Sequence, residues 1–286
     1  MTRTEDEACP NGANMTQMQT AKPRYPADIH LESNSLVEAW LEIRWRLPPN
    51  EPPQFAKDPA FAFALGPFFE RVRDRFGFVE DTEASSAPFD LAYVVRHRFR
   101  HDEGSWPILQ IGHGVASVNF TSPYSWDEFR ALSLYLREHL IGAYEPHKLD
   151  IQSMTLRYRN AVPFMYASQD LTQFLKQNLN VELQLPESIP GFAGSKQFPT
   201  SANISLTFDL ETPKGTGTLQ IITGVSKAAG EVLVWHLELA SADVDVPDVR
   251  DDRVFAGWLD QAHAAIHEWY FSLVDGPILQ RFSQEE

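Results

Sequence analysis

The strongest constraint on how this chain folds is a strand pattern that occurs twice. Between Leu36 and Leu47, Val37, Ala39, Leu41, Ile43, Trp45 and Leu47 alternate with Glu38, Trp40, Glu42, Arg44 and Arg46. A period of two sends successive side chains to opposite faces, so the stretch predicts a strand with one buried face and one polar face. The signature returns in "LDIQSMTLRYRN" at 149–160, where "LRYR" at 156–159 answers "IRWR" at 43–46, an offset of 113 residues. A second pair, "LQIGHGV" at 109–115 and "LQIITGV" at 219–225, is offset by 110. Two matches at a near-constant offset predict an internal duplication.

The intervening elements support that order. In the first copy, "DPAFAFALGPFFERVRDRFGF" predicts a helix with Asp58 as N-cap and Pro59 at its first position. Strands follow at "FDLAYVVRHRFRH", "WPILQIGH" and "VASVNF", then a helix capped by Ser125 and ended by Gly142. In the second copy a helix in "SQDLTQFLKQNLN" precedes strands "ANISLTFDLE", "GTLQIITG" and "EVLVWHLELA", and a last helix runs from about Arg253 to Gln280, capped by Asp252. The predicted fold is α+β: a duplicated strand-helix-three-strand-helix module, each copy an antiparallel sheet of about four strands with its helices on one face. Residues 31–145 form the first module and 146–286 the second; residues 1–30, polar and carrying Pro10, Pro23 and Pro26, form a flexible tail.

Composition limits the function classes. A formal net charge of −15 argues against non-specific nucleic-acid binding, which needs a clustered excess of Lys and Arg. The single cysteine, Cys9, cannot form an intrachain disulfide, there is no apolar run of membrane-spanning length, and the N-terminal residues lack signal-peptide order. These features predict a cytoplasmic protein that does not span a membrane.

No nucleophile elbow, phosphate loop, dinucleotide fingerprint or paired cysteines occur. Gly112-His113-Gly114 reads as a turn whose positive-φ residue is Gly114, matched by Gly224 in the second copy, which leaves His113 without a catalytic role. Asp260, His263 and His267 share a helix face at ligand-like spacing, but helix-surface histidines are commoner than ligands. His97 and His101 read as edge or half-buried residues. The acidic run at Asp243, Asp245, Asp248, Asp251 and Asp252 lacks the glycine of a calcium loop, and "GFAGSKQ" at 191–197 lacks phosphate-loop spacing. No metal and no cofactor is expected.

The arginines are more distinctive. Alternation places Arg44, Arg46, Arg96, Arg98, Arg100, Arg157 and Arg159 on the sheet face that helices leave uncovered. That face is either a groove for an anionic ligand or acidic partner, or a solvated surface with cross-strand pairs to Glu38, Glu42, Asp209, Glu211 and Glu238.

Finally, "ILQIGHGVASVNFTSPYSWDEFR", "LRYRN" and "HAAIHEWYFSLVDGPILQRF" resemble a sporadically distributed family of uncharacterised bacterial proteins of similar length. Gln110, Gly114, Asn119, Tyr124, Trp126, Phe129, Arg157, Tyr158, Asn160, His263, Phe271 and Asp275 carry the match. Its scattered distribution is similar to that of defence or mobile-element genes, which is what the resemblance implies for function. Together these readings favour a non-enzymatic cytoplasmic binding or regulatory protein that recognises an anionic ligand or a protein partner through the open sheet face. Its expected binding residues are Arg44, Arg46, Arg96, Arg98, Arg157, Arg159, Gln110, Asn119, Tyr158 and Asn160. The alternative is an enzyme or small-molecule binder at the module interface, where Arg157, Tyr158, Asn160, Gln110 and His113 would converge; a homo-oligomer also stays open.

Overall fold

The structure is a computed structural model that describes residues 24–25, 35–49, 52–82, 91–121, 123–145, 149–166, 168–186, 199 and 201–282. In chain order the elements are β1 (Leu36–Trp45), α1 (Phe61–Val72), β2 (Phe78–Asp81), β3 (Val95–Arg100), β4 (Ile108–Gly112), β5 (Val115–Phe120) and α2 (Trp126–Tyr144). They are followed by β6 (Ile151–Pro163), α3 (Leu171–Asn178), β7 (Asn203–Glu211), β8 (Lys214–Ser226), β9 (Gly230–Ala242), α4 (Asp252–Val274) and α5 (Pro277–Phe282). The α+β class is as expected from sequence, but the sheets are not separate. All nine strands form one open antiparallel sheet in the order β2-β3-β4-β5-β1-β6-β9-β8-β7.

The join is β1 against β6. Ala39 lies opposite Tyr158, Leu41 opposite Leu156 and Ile43 opposite Met154, so both buried faces turn to the same side. A one-residue slip would send every one of these side chains into solvent, which fixes the register. An apolar stripe at helical spacing on α2 then covers that side: Phe129, Leu132, Leu136 and Leu140 are buried with Phe255, Leu259, Ala262 and Ile266 of α4. Each of the larger side chains contributes roughly 1.5–3 kcal/mol on burial. Arg130 of α2 holds Asp260 of α4 through two bonds of 2.6 and 2.9 Å, and Arg137 ties down the approach to α4 through Asp252 and the carbonyls of Val249 and Arg250.

Several boundaries differ from the sequence reading for local reasons. Asp58 precedes a turn, its Oδ1 accepting from Ala60 N at 2.9 Å, and α1 starts only at Phe61. Asp251 rather than Asp252 caps α4, its side chain accepting from the amides of Arg253 and Val254. Gly276 separates α4 from α5, so the last helix is two. The short edge strand β2 escaped prediction because four residues show no resolvable period. Of residues 1–30 only Arg24 and Tyr25 are described, and Tyr25 docks at the end of α4 by donating to Asp275 at 2.9 Å. Cys9 and the loop at 191–197 lie outside the described residues. No helix among the described residues is long and apolar enough to cross a membrane.

The glycine turn is also corrected. Gly114 takes φ +77° in the β4–β5 turn, as expected. Gly224, however, sits within β8 opposite Val232, and the turn into β9 falls later, before Gly230 at φ +72°. Gly112 is required for a different reason: a Cβ there would lie 2.0 Å from the Val94 carbonyl oxygen. Gly112→Ala is therefore expected to cost about 2 kcal/mol in urea unfolding, whereas Gly224→Ala, which meets only ordinary contacts, should change stability by less than about 0.5 kcal/mol.

Candidate functional site

Among the described residues no helix packs on the second face of the sheet, and cross-strand register assembles a polar cluster at its centre. One row runs Asn119, Trp40, Arg157, Glu238, Thr218 across β5, β1, β6, β9 and β8. The next runs Glu38, Arg159, His236, Gln220. A third runs Arg98, Gln110, Ser117, Glu42, Thr155.

Trp40 is the centre of this surface. The guanidinium of Arg157 lies 4.6 Å and that of Arg159 5.4 Å from its ring, within the range of cation–π attraction. Each guanidinium is also held by a carboxylate: Arg157 pairs with Glu238, and Arg159 with Glu38 at 3.1 Å. Glu38 also accepts from Asn119 Nδ2 at 2.9 Å, and Ser117 donates to Gln110 at 2.9 Å. Arg44 pairs with Glu42 at 2.6 Å and its guanidinium lies over the Tyr93 ring at 5.3 Å. Arg98 and Arg100 share Glu80, which their hydrogen bonds hold below the usual carboxylate range, Arg100 contributing most. Arg96 lies at a register irregularity between Val95 and His97, where β3 departs from simple alternation.

The predicted arginine face is thus real, but its positive charge is largely compensated. Glu38 and Glu238 are the expected cross-strand partners, while Glu42 pairs with Arg44 along its own strand; Asp209 and Glu211 sit on distant β7, and Glu80 on the unpredicted β2 supplies the pairing instead. Arg46 leaves the group: beyond the end of β1 it pairs with Asp150 at 3.3 Å and Asp243 at 3.1 Å.

His236 completes the cluster and was missed by sequence reading. Burial, and then the charges of Arg159 and Arg157, push its pKa down to about 4, so the imidazole is neutral at pH 7. Its Nδ1 is buried with no hydrogen-bond partner among the described residues. The only sequence clue was its alternation with Trp235 and Leu237 along β9.

Tyr158 and Asn160 lie on the opposite face, under the helices. Tyr124 bonds Tyr158 at 2.5 Å, and Tyr158 bonds Nδ1 of His263 at 3.0 Å, while the His263 ring stacks on Trp126 at 3.7 Å. Burial raises both tyrosines and pushes His263 down to about 4, so the chain is uncharged at neutral pH. Asn160 accepts from Ser35 at 3.2 Å. This arrangement gathers Tyr124, Trp126, Tyr158 and His263, which carried the resemblance, into one packing unit between β6, α2 and α4.

The module-interface constellation does not form. Alternation puts Arg157 and Gln110 on one face and Tyr158 and Asn160 on the other, and His113 packs against Phe61 at the β4–β5 turn, its Nδ1 accepting from Asp58 N at 3.1 Å. The helix-face triad is also otherwise engaged: Asp260 with Arg130, His263 with Tyr158, and His267 against Phe271 at 4.6 Å. His97 bonds Asp81 at 2.7 Å and His101 is exposed. Among the described residues no group of three or more His, Cys, Asp or Glu side chains is arranged to hold a metal. In the acidic run, Asp243 pairs with Arg46, Asp245 with Lys214, and Asp251 caps α4.

A cavity of about 360 Å³ lies away from Trp40, beside Trp45, Asp58, Tyr144 and Leu149. No family model and no curated protein matches the chain. Among solved structures it is similar to that of DynU16, a protein in the dynemicin biosynthetic locus, at 14% identity over 80% of this chain and 97% of that one, with a TM-score of 0.21, a likeness too slight to carry an argument.

Proposed function

We propose that the chain is a non-enzymatic binding protein that takes a protein partner on the open sheet face, centred on Trp40, Arg157 and Arg159 and flanked by Arg44, Arg98, Gln110, Asn119 and His236. The observation that carries this reading is the Trp40 ring flanked by two guanidiniums on a face that no described helix covers. Trp and Arg in a partly desolvated centre with a polar rim are the residues that dominate protein interfaces. Small molecules instead favour concave apolar pockets, and the cavities described lie elsewhere. Because the arginines are already paired with carboxylates, a partner bearing both signs of charge fits better than a simple polyanion.

The same reading extends to the origin of the face. Apart from edge strand β2, strand order is symmetric about the β1–β6 pair, and Glu42 lies opposite Thr155, which is also its counterpart at the 113-residue offset. A duplication would bring the two arginine-bearing strands side by side around Trp40.

Capture from the native host tests the function, using the wild-type chain and a Trp40→Ala/Arg157→Ala variant as parallel baits. The expected result is a protein retained by the wild type and lost by the variant. A partner retained equally by both, or a bound small molecule with no protein, would contradict the reading.

A further inference from the structure

Among the described residues the nine strands leave two sheet edges, and they differ sharply. Edge strand β2 is four residues long, and its Glu80 and Asp81 are occupied by Arg98, Arg100 and His97. Edge strand β7 is nine residues long, regularly paired with β8 on one side, and its other side makes no backbone hydrogen bond among the described residues. Its first six residues, "NISLTF", contain no charge, proline or irregularity in register. Those are the devices by which soluble proteins normally block edge pairing. Leu206 and Phe208 are 45% and 47% exposed.

We infer that β7 is the interface of a homodimer in which two copies pair antiparallel through this edge and continue the sheet. The occupant follows from the sequence of the strand itself. Full overlap of two antiparallel copies centres the twofold axis on Thr207, because it is the midpoint of Asn203–Glu211. That register sets Leu206 opposite Phe208 of the second copy, and Ile204 opposite its Leu210, forming one apolar strip on the helix-bearing side. Phe208 already packs edge-on against Trp269 of α4 at 5.5 Å, so the strip extends an existing apolar surface. On the other side Ser205 falls opposite Asp209 and Asn203 opposite Glu211, pairing each carboxylate with a neutral hydrogen-bond donor. Centring the axis two residues later would put Asp209 against its own copy and shorten the overlap. The strand is therefore self-complementary in shape, polarity and charge at its longest register. The inference is independent of what binds at Trp40.

Sedimentation velocity on the full chain over about 1–100 µM tests it, together with disulfide trapping. The wild type is expected to sediment at twice its 32.5 kDa chain mass at the upper concentrations, and Leu206→Lys at the chain mass with an unchanged circular dichroism spectrum. In a Cys9→Ser background, Thr207→Cys should oxidise to a covalent dimer, since the two residues meet on the axis, and Ser205→Cys should not. A wild type that stays at the chain mass throughout, a dimer that Leu206→Lys leaves intact, or failure of Thr207→Cys to trap one would overturn the inference.

Discussion

Asp58→Ala is expected to lower the free energy of unfolding by about 4 kcal/mol, a large part of the roughly 5–15 kcal/mol that holds a domain together. Asp58 is buried, and its Oδ2 accepts from Trp45 Nε1 at 2.9 Å and from Tyr144 Oη at 2.7 Å, while Oδ1 fixes the turn into α1 through Ala60 N. Alanine would leave two buried donors without an acceptor, at roughly 1–3 kcal/mol each, and remove a turn bond besides. Water entering from the neighbouring cavity offsets part of this, which sets the lower end near about 2 kcal/mol. Asp58→Asn keeps one acceptor oxygen and should cost about half as much. Urea unfolding of the three proteins measures both values; an alanine variant within about 1 kcal/mol of wild type would show that the carboxylate does not organise β1, α1 and α2.

The second large effect is acid sensitivity. His263 and His236 are held neutral, each with its pKa pushed down to about 4, by burial first, then by His267 for the former and by Arg159 and Arg157 for the latter. An unfolded histidine protonates near pH 6.5, so between about pH 6.5 and 4 the unfolded chain binds protons that the folded chain does not. Stability is complete above that window and falls as the pH drops through it, by about 3 kcal/mol for His263, and His236 adds to the fall in the same direction. The urea midpoint should therefore fall between pH 7 and pH 4.5, and His263→Gln should flatten that decline. An identical decline in the variant would assign the acid sensitivity to other groups.

How much of this was legible in the sequence follows the physics of each feature. Alternation along β1 and β6 reports which side each residue faces, and it placed Arg44, Arg157 and Arg159 on the uncovered face; Tyr158 and Asn160, expected to bind there too, alternate with those arginines and so lie beneath the helices. It contains no information on which strands become neighbours, so the single sheet joined at β1 and β6 was read as two. Pairing partners depend on that adjacency: Glu238 and Glu38 were named as candidate partners without a register, whereas Glu80 came from a strand too short to detect. The Gly114 turn was legible from its sequence, but its counterpart was misplaced because β8 and β9 are 13 residues long where β4 and β5 are five and six. The Tyr124, Tyr158 and His263 chain joins residues 34 and 105 positions apart, which local periodicity cannot reveal.

The open face is tested most directly by calorimetric titration of the captured partner into wild type, Trp40→Ala and Gln261→Ala, the last an exposed position on α4. Removing a tryptophan at an interface centre costs about 2 kcal/mol or more, so Trp40→Ala is predicted to weaken binding at least about 30-fold while Gln261→Ala leaves it unchanged. Unchanged affinity in Trp40→Ala together with a loss in Gln261→Ala would place the partner on the helices and contradict the assignment of the sheet face.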